Sequence, residues 1–428
     1  MIGNVSGFVG LVLVLVFGYS CTTDVDEEVV YHRSTVWAVG ENGADGYRIP
    51  GIVVSGSGTL LAFSEERPLY GDADPKSLVV KRSRDRGISW SDNIYIEISN
   101  GEYWRENRDA VHPDDDPIKK EVWTNIAPIV DRETNRIFFF YALSEGKIKD
   151  QNLQRYTRVY YKYSDDDGIS WSGRKEVTTL LNAKENGQAN MDSDGKWMTD
   201  ENGFPCDYLG RAFHMPGPGH GIQLEDGRLL LQVWNRKALG ILDQGEIPVE
   251  DRVYGVSTIY SDDHGESWHF GSAFGQELNI NESRMVQLEN GDIYMNARYV
   301  PTIPGERNNH RVTAISTDGG VSWGNMQIDE DFPASNHCDA GLAKVVISEG
   351  KDLLLYSKNE SVDGRKNLVV RLSQDQGQSW NISKVLDEGP AGYSDIAVTE
   401  DGTVHILYET GKNSPVYCTS FDLNWLLN

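Results

Sequence analysis

One short motif occurs five times in this chain of 428 residues, and it constrains the fold more than any other feature. Its pattern is Ser-x-Asp-x-Gly-x-Ser-Trp, and the last three copies follow one another at intervals of about 55 residues, the size of a four-stranded sheet with its loops. A motif that recurs in this way predicts that one supersecondary unit is used several times. The copies are Ser83–Trp90, Ser164–Trp171, Ser261–Trp268, Ser316–Trp323 and Ser373–Trp380.

The motif has the chemistry of a tight turn between two strands. Its Asp accepts hydrogen bonds from turn amides, its Gly tolerates a positive φ, and its Trp offers a large apolar face. Runs of β-branched and aromatic residues such as SLVVKR, RVYYKY and NLVVRL precede the copies. Four-stranded units repeated around a centre make a β-propeller, so an all-β propeller is predicted. The motif aspartates are assigned to structure and not to catalysis: Asp85, Asp166, Asp263, Asp318 and Asp375.

The charge of the chain limits its partners. Asp and Glu number 65 against 40 Lys and Arg, for a formal net charge of -25. Because phosphate binding needs a basic surface, a nucleic-acid partner is excluded. An anionic ligand would have to be held by a local cluster of arginines that works against the overall field.

The cysteines and acidic clusters do not predict a metal site. Cys21, Cys206, Cys338 and Cys418 are too few and too scattered for a disulfide framework or a metal knuckle. The sequence DSDG at Asp192–Gly195 lacks the complete oxygen-ligand loop of a calcium site. It is predicted to be a solvated turn.

The N-terminal segment predicts export. The apolar run Phe8–Phe17 is too short for a spanning helix, which needs ~20 residues, but it suits the core of a secretory signal. The small residue before Cys21 resembles a bacterial lipoprotein signal, in which that cysteine carries the lipid anchor. We therefore expect a signal at residues 1–21, a polar tether at 22–34 and the propeller at 35–428. Plain secretion after cleavage nearby is the alternative. The expected location is the outer membrane, the cell surface, the periplasm or the medium.

Several segments outside the repeats carry further motifs in a recognisable order. These are Tyr47–Pro50 (YRIP), Glu66–Asp74 (ERPLYGDAD), Asn281–Arg298, the segment from Gly364, and GPAGYSD followed sixteen residues after its Tyr by Glu409. Together they resemble the bacterial exo-α-sialidases with Asp-box repeats, a glycoside hydrolase family 33-like group, from about residue 35 to 425. The resemblance implies a six-bladed β-propeller of four-stranded antiparallel sheets that removes terminal α-linked sialic acids without a cofactor.

The resemblance also implies a role for each motif residue. Arg48, Arg298 and Arg365 would bind the carboxylate of sialic acid, for which forked guanidinium groups are well suited. Tyr393 would be the nucleophile and Glu282 the base that accepts its proton. A tyrosine nucleophile is the known exception that sialidases make among glycosidases, and a neutral nucleophile avoids repulsion by the carboxylate of the substrate.

Four further residues and one loop have implied or alternative roles. Asp72 would be the general acid, because it follows the first arginine by the family spacing, and Asp74 is the alternative. Glu409 would hold Arg48 in place. His220 is a weaker candidate for the pocket wall, and His112–Lys120 reads as an inserted surface loop.

The expected partners are sialylated glycans, glycoproteins or glycolipids. A related scaffold could prefer another nonulosonic acid, and a trans-sialidase would pass the sugar to an acceptor glycan. A non-catalytic propeller that binds glycans or proteins is the alternative from another class, because the repeats alone occur in unrelated families.

Overall fold

The computed structural model describes residues 31–107, 120–148, 153–200, 203–237, 253–300, 310–330, 332–333, 335–347 and 351–428. The expected signal with Cys21, the tether up to residue 30 and the loop His112–Lys120 except its last residue lie outside the described residues.

Across the described residues, the strands form six antiparallel sheets, here called blades 1 to 6. Blades 1 to 3 comprise β2 (Gly46–Val54), β3 (Leu60–Arg67), β4 (Ser77–Ser83), β5 (Ile94–Glu97); β6 (Trp123–Val130), β7 (Ile137–Ile148), β8 (Leu153–Ser164), β9 (Lys175–Glu176); and β10 (Arg211–Pro216), β11 (Ile222–Gln223), β12 (Leu229–Lys237), β13 (Tyr254–Ser261), β14 (His269–Phe274).

Blades 4 to 6 comprise β15 (Ile280–Gln287), β16 (Ile293–Tyr299), β17 (Arg311–Ser316), β18 (Gly324–Asp329); β19 (Gly341–Val346), β20 (Asp352–Asn359), β21 (Lys366–Ser373), β22 (Ile382–Pro390); and β23 (Ser394–Val398), β24 (Val404–Glu409), β25 (Val416–Phe421), β1 (Tyr31–Trp37). Short helices lie at Glu102–Glu106, Thr178–Leu181 and Leu423–Leu427, with 3₁₀ turns at Glu41–Gly43 and Gln276–Leu278. None of the helices in these ranges is long and apolar enough to cross a membrane.

The blades close into a ring through their inner strands. Strand β2 contacts β6 and β23, β23 contacts β19, and β19 contacts β15. Blade 3 completes the circle, because β10 contacts β6 and β12 contacts β15. The prediction of a six-bladed propeller is confirmed.

Blade 6 corrects the expected boundary of the tether. Residues 31–34 belong to β1, which pairs with β25 as the outermost strand of that blade. The N-terminal strand therefore closes the ring against the C-terminal one. The first residues of β1 alternate between exposed and half-buried side chains, and for that reason their composition resembles that of a tether.

Blade 3 departs from the expected four strands because its inner strand is interrupted. The chain leaves the ladder between β10 and β11, where Gly217 and Gly219 both have a φ of +74°. A Cβ atom at Gly219 would lie only 2.3 Å from Cζ of Arg284, so this turn packs directly against that guanidinium. Only glycine satisfies both the backbone conformation and the close approach.

The five repeated motifs are structural, as predicted. In the first copy, Asp85 Oδ1 accepts hydrogen bonds from Ser83 Oγ at 2.8 Å and from Ser89 N at 2.9 Å. The other four copies repeat these contacts. The motif Trp packs across to the preceding blade, as when Trp268 meets Phe140 edge-on with ring centroids 4.7 Å apart. Each copy therefore closes a hairpin and joins two blades.

Candidate active site

The implied site residues lie at one end of the ring. Arg48 and Glu282 are each the third residue of an inner strand, and Tyr393 directly precedes another. Second strands run back towards the same end, where Glu409 is the last residue of its strand and Arg298 the last but one. The opposite ends of the inner strands surround a cavity of about 720 Å³.

Arg48 is fixed by a bulge in β2 and by Glu409. Its Nη2 lies 3.1 Å from Glu409 Oε1, and the backbone N of Ile49 donates to Glu409 Oε2 at 3.1 Å. Ile49 has a φ of +57°, which is an unfavourable conformation for a β-branched residue. The strained backbone turns Arg48 towards the buried carboxylate, and a strained residue of this kind is typical of a functional site. Glu409 therefore holds Arg48, as implied by its position in the sequence.

Tyr393 and Glu282 form a direct pair in the floor of the site. The Tyr393 hydroxyl donates a hydrogen bond to Glu282 Oε1, and both side chains are buried. Arg298 Nη1 donates to Glu282 Oε2 at 2.6 Å and to Tyr393 Oη at 3.1 Å. The guanidinium therefore contacts both members of the pair.

Arg365 completes a convergence of three guanidinium groups. Its Nη2 donates to the carbonyl of His337 at 3.1 Å, and its Nη1 lies 3.8 Å from Glu409 Oε1. Its Cζ lies 5.0 Å from the ring centroid of Tyr393, and Cζ of Arg48 lies 5.5 Å from the same centroid. The arginines expected to bind an anion thus all contact Tyr393 or share Glu409.

The electrostatics of the pair fit a phenol beside a base. Burial and the neighbouring charge of Glu282 raise the pKa of Tyr393 well above its usual value, so its proton stays on the phenol. Burial would raise the pKa of Glu282, but Arg298, the hydrogen bond from Tyr393 and the charge of Arg365 together hold that pKa below its usual range. Glu282 is therefore ionised and ready to accept the proton that Tyr393 donates.

Asp72 lies at the rim, beside two cations. Its Oδ1 lies 3.0 Å from Arg48 Nη1 and 2.8 Å from Arg67 Nη1, while 71% of its side chain is exposed. The nearby protein partly desolvates Asp72, which would raise its pKa, but Arg67 and Arg48 together lower that pKa below its usual range. Asp74 instead accepts a hydrogen bond from the backbone N of Gly71 at 3.1 Å. Of the two candidates, Asp72 is the one in contact with an arginine of the trio.

The sequence assigns no role to Arg67, although this residue lies in the segment Glu66–Asp74 (ERPLYGDAD). It is buried and bonds Glu65 through Nε at 2.8 Å, while Asp72 contacts its Nη1. Buried Lys76 adds a donor to the carbonyl of Asp72 at 2.5 Å. The signal for Arg67 was its proximity to Asp72 in sequence, but only the folded loop turns the two side chains together.

His220 lies one layer deeper than the site. Its Nδ1 is 2.9 Å from Asp395 Oδ1, and it lines the cavity at the opposite end of the inner strands. The segment Asp192–Gly195 is a turn. Asp192 Oδ1 accepts hydrogen bonds from the backbone N of Asp194 and from the backbone N of Lys196, each at 2.9 Å. Within the described ranges, no group of His, Cys, Asp and Glu side chains is arranged to hold a metal ion.

A family model described as a BNR repeat-like domain matches residues 93–406. The chain belongs to this family. Among curated relatives of this BNR repeat-like chain, a sialidase of Micromonospora viridifaciens is 29% identical over 424 residues, covering 93% of this chain and 55% of the relative. A sialidase of Bacteroides fragilis is 25% identical over 406 residues, covering 90% of this chain and 64% of the relative. The resemblance to sialidases is confirmed. The chain spans only 55% of the length of the first relative and 64% of the length of the second.

Solved structures of the same architecture agree. The Hadza microbial sialidase Hz136 superposes on this BNR repeat-like chain with a TM-score of 0.73 and 25% identity, covering 92% of this chain and 69% of the other. The intramolecular trans-sialidase from Ruminococcus gnavus gives a TM-score of 0.66 at 16% identity, covering 92% and 98%, and supports the fold alone.

Proposed function

We propose that the protein is an exo-α-sialidase that hydrolyses terminal α-linked sialic acids with retention of configuration. The observation that carries this proposal is the hydrogen bond from the Tyr393 hydroxyl to the ionised Glu282, flanked by the arginine trio. A monosaccharide with a carboxylate on its anomeric carbon suits this arrangement, because the anion would place that carbon next to the phenol. In a chain of net charge -25, such a cluster of cations is best explained by an anionic ligand.

The proposed first step forms a covalent glycosyl-tyrosine. Tyr393 Oη attacks the anomeric carbon while its proton passes to Glu282, which lies at hydrogen-bond distance. The glycosidic C–O bond breaks, and the leaving oxygen takes a proton from Asp72.

In the second step, water attacks the same carbon and gives its proton to Asp72. The bond to Tyr393 breaks, and Glu282 returns the proton to the phenolate. Two displacements at one carbon restore the original anomeric configuration.

The general-acid role requires that substrate binding change the surroundings of Asp72. In the unliganded site, Arg48 and Arg67 favour its ionised form. A sialic acid carboxylate on Arg48 would offset one of these cations, and the bound glycan would cover a side chain that is 71% exposed. Both changes raise the proton affinity of a carboxylate, so Asp72 would acquire its proton in the complex.

We also propose that the protein is exported and that Cys21 carries a lipid anchor. This proposal rests on the apolar run Phe8–Phe17 and the small residue before the cysteine. The partners would be sialylated glycans of glycoproteins or glycolipids outside the cell membrane.

Replacing Tyr393 by Phe tests the proposed function. We expect the release of sialic acid from α2,3-, α2,6- or α2,8-linked substrates to fall by at least about 100-fold, because the nucleophile is lost while the ring still packs. Tyr160→Phe is the matched control, since buried Tyr160 likewise donates or accepts one hydrogen bond, at 2.8 Å from Tyr103 Oη, and it should keep full activity.

Undiminished release by Tyr393→Phe would refute the nucleophile assignment. A wild-type protein that releases no sialic acid from any of the three linkages would refute the hydrolase proposal. Sialylated product formed only with an added acceptor glycan would establish the trans-sialidase alternative.

A further inference from the structure

A second layer of buried charged groups lies directly beneath the candidate catalytic pair. Arg284 lies two residues after Glu282 in β15, and Asp395 in β23 lies two residues after Tyr393. Because side chains two residues apart on a strand point to the same side, Arg284 and Asp395 form the next layer of side chains along the inner strands. Arg284 is 1% exposed, while Asp395 and Asp339 are fully buried. None of these three groups belongs to the site as described above.

Arg284 joins three blades at this level. Its Nη2 lies 2.5 Å from Asp339 Oδ2, and its Nε lies 3.5 Å from Asp395 Oδ1. Asp339 lies just before β19 in blade 5, and Asp395 lies in β23 of blade 6, while Arg284 itself is in β15 of blade 4. One guanidinium therefore ties the strand that carries Glu282 to the strand that follows Tyr393.

The partners of Arg284 are themselves fixed. Asp395 Oδ2 accepts a hydrogen bond from the backbone N of Ile52 at 3.0 Å, and its Oδ1 lies 2.9 Å from His220 Nδ1. The turn at Gly219 packs on the guanidinium so closely that a Cβ there would lie 2.3 Å from Cζ. The position of Arg284 is thus determined from blades 1 and 3 as well as from the blades that it bridges.

We propose that Arg284, clamped between Asp339 and Asp395, is a positioning residue that keeps the Glu282 carboxylate against the Tyr393 hydroxyl. The two catalytic groups lie on different blades, and a displacement of one strand by a fraction of an ångström would lengthen the hydrogen bond that activates the phenol. A buried guanidinium that hydrogen-bonds Asp339 through Nη2 and lies 3.5 Å from Asp395 through Nε resists that displacement. The inference rests on the proposed function of the site.

Charges around Asp339 agree with this arrangement. Burial raises the pKa of Asp339 to about 7, with Arg284 and Arg311 opposing the rise and Glu282 adding to it. The charge states of Asp339 and Glu282 are therefore linked across the two layers, so the layer lies within electrostatic reach of the base.

The test is Arg284→Lys, which keeps the positive charge and removes the fork. We expect kcat to fall by about tenfold, because the pair is no longer held in register, while KM stays within about twofold since the arginine trio is intact. The matched control is Arg211→Lys. Arg211 lies 2.5 Å from Asp207 with the same complete burial, but within blade 3. The control should lose similar thermal stability with kcat unchanged.

A second readout does not depend on turnover. The buried hydrogen bond between the Tyr393 hydroxyl and the Glu282 carboxylate should give a downfield proton resonance that disappears in Tyr393→Phe. We expect this resonance in the wild type and in Arg211→Lys, and its shift or loss in Arg284→Lys. If Arg284→Lys does not fold, Asp339→Asn is expected to give the same pattern in a weaker form.

The outcomes separate the two proposals. If the wild type is inactive but the resonance pattern is as expected, the sialidase proposal is refuted and the positioning role of Arg284 is supported. An unchanged resonance in Arg284→Lys, or a kcat equal to that of Arg211→Lys, would overturn the positioning role while leaving the function in place.

Discussion

Asp72 is the residue whose proposed role departs most from its state in the unliganded site. A general acid needs a proton, yet Arg67 and Arg48 lower the pKa of this carboxyl. Its exposed position at the rim is what allows a bound glycan to change that balance. Asp74, two residues further along, accepts a hydrogen bond from the backbone N of Gly71.

Asp72→Ala is expected to lower kcat on sialyllactose by about 100-fold, because a poor leaving group depends on the acid. The loss on an aryl sialoside should be about tenfold or less, since a phenolate leaves without a proton. Asp74→Ala, measured with the same two substrates, should stay close to the wild type. The reverse ranking of the two variants would assign the acid to Asp74.

Arg298 contacts Glu282, the proposed base, and this gives a prediction for pH dependence. Lowering the pH protonates Glu282 and removes its ability to accept a proton, so kcat/KM should decline on the acidic side. Arg298 holds the pKa of Glu282 below its usual range, which places this decline at low pH. In Arg298→Gln the uncompensated burial should raise the pKa, and the decline should move up by at least about one pH unit.

The pH at which kcat/KM declines is measured with an aryl sialoside, because its leaving group does not need a proton from Asp72. A decline that stays in place, or that moves to lower pH, would contradict the assignment of Glu282 as the base.

At the level of single residues, the sequence predicted those groups that occupy motifs. The arginine trio, Tyr393 and Glu282 could be found in this way, and the structure brings their side chains together. Arg67 could not, because its contact with Asp72 depends on how the loop from Gly71 folds back. The layer of Arg284 was also missed, because a buried charge inside a strand has no signature in the sequence.

The structural elements depend on turns that only glycine can form without strain. Gly265 in the third motif has a φ of +80°, and a Cβ there would lie 2.0 Å from Cζ of buried Phe138. Gly291 has a similar φ of +88°, but nothing lies within 4 Å of its position for a Cβ. The two glycines therefore share the backbone requirement and differ in packing alone.

Gly291→Ala should cost about 1 kcal/mol of unfolding free energy, which is the penalty of the left-handed backbone. Gly265→Ala should cost about 2 kcal/mol more, because the methyl group must displace the Phe138 ring. Chemical denaturation of both variants gives the comparison. Equal losses would show that the motif turn does not depend on its contact with blade 2.

Among the elements, the motif hairpins were predictable and two other features were not. The first residues of β1 are polar and alternate between exposed and half-buried positions, so the sequence alone makes them look like part of a tether. The interruption of the inner strand at Gly217–Gly221 packs against Ile126 and Arg284, which lie far along the chain. Both features are set by tertiary pairing and not by local propensity.

For the whole molecule, the strand register shows on which face of the propeller the chain enters β1. Tyr31 pairs with Phe421, which also pairs with Val404 at the far end of β24, whereas Glu409 lies at the other end of that strand. The chain therefore enters the propeller on the face opposite the candidate site. A lipid anchor on a tether attached there would leave the mouth of the site pointing away from the membrane.

Cys21→Ser tests this arrangement. We expect the wild type to incorporate labelled fatty acid and to partition with membranes, and the variant to do neither. Hydrolysis of a small soluble substrate should be equal in the two, because the anchor is remote from the site. Membrane partitioning that is unchanged in the variant would exclude an anchor at Cys21.

The central claim is that Tyr393 becomes covalently bound to the sugar. The most direct measurement is mass spectrometry of peptides after incubation with a sialyl fluoride that carries a second fluorine at C3, which slows the breakdown of a glycosyl-enzyme. We expect one added sialyl residue on the wild-type peptide that contains Tyr393 and no adduct in Tyr393→Phe. An adduct on another residue of the wild type, or turnover of the reagent by Tyr393→Phe at the wild-type rate, would show that Tyr393 is not the nucleophile.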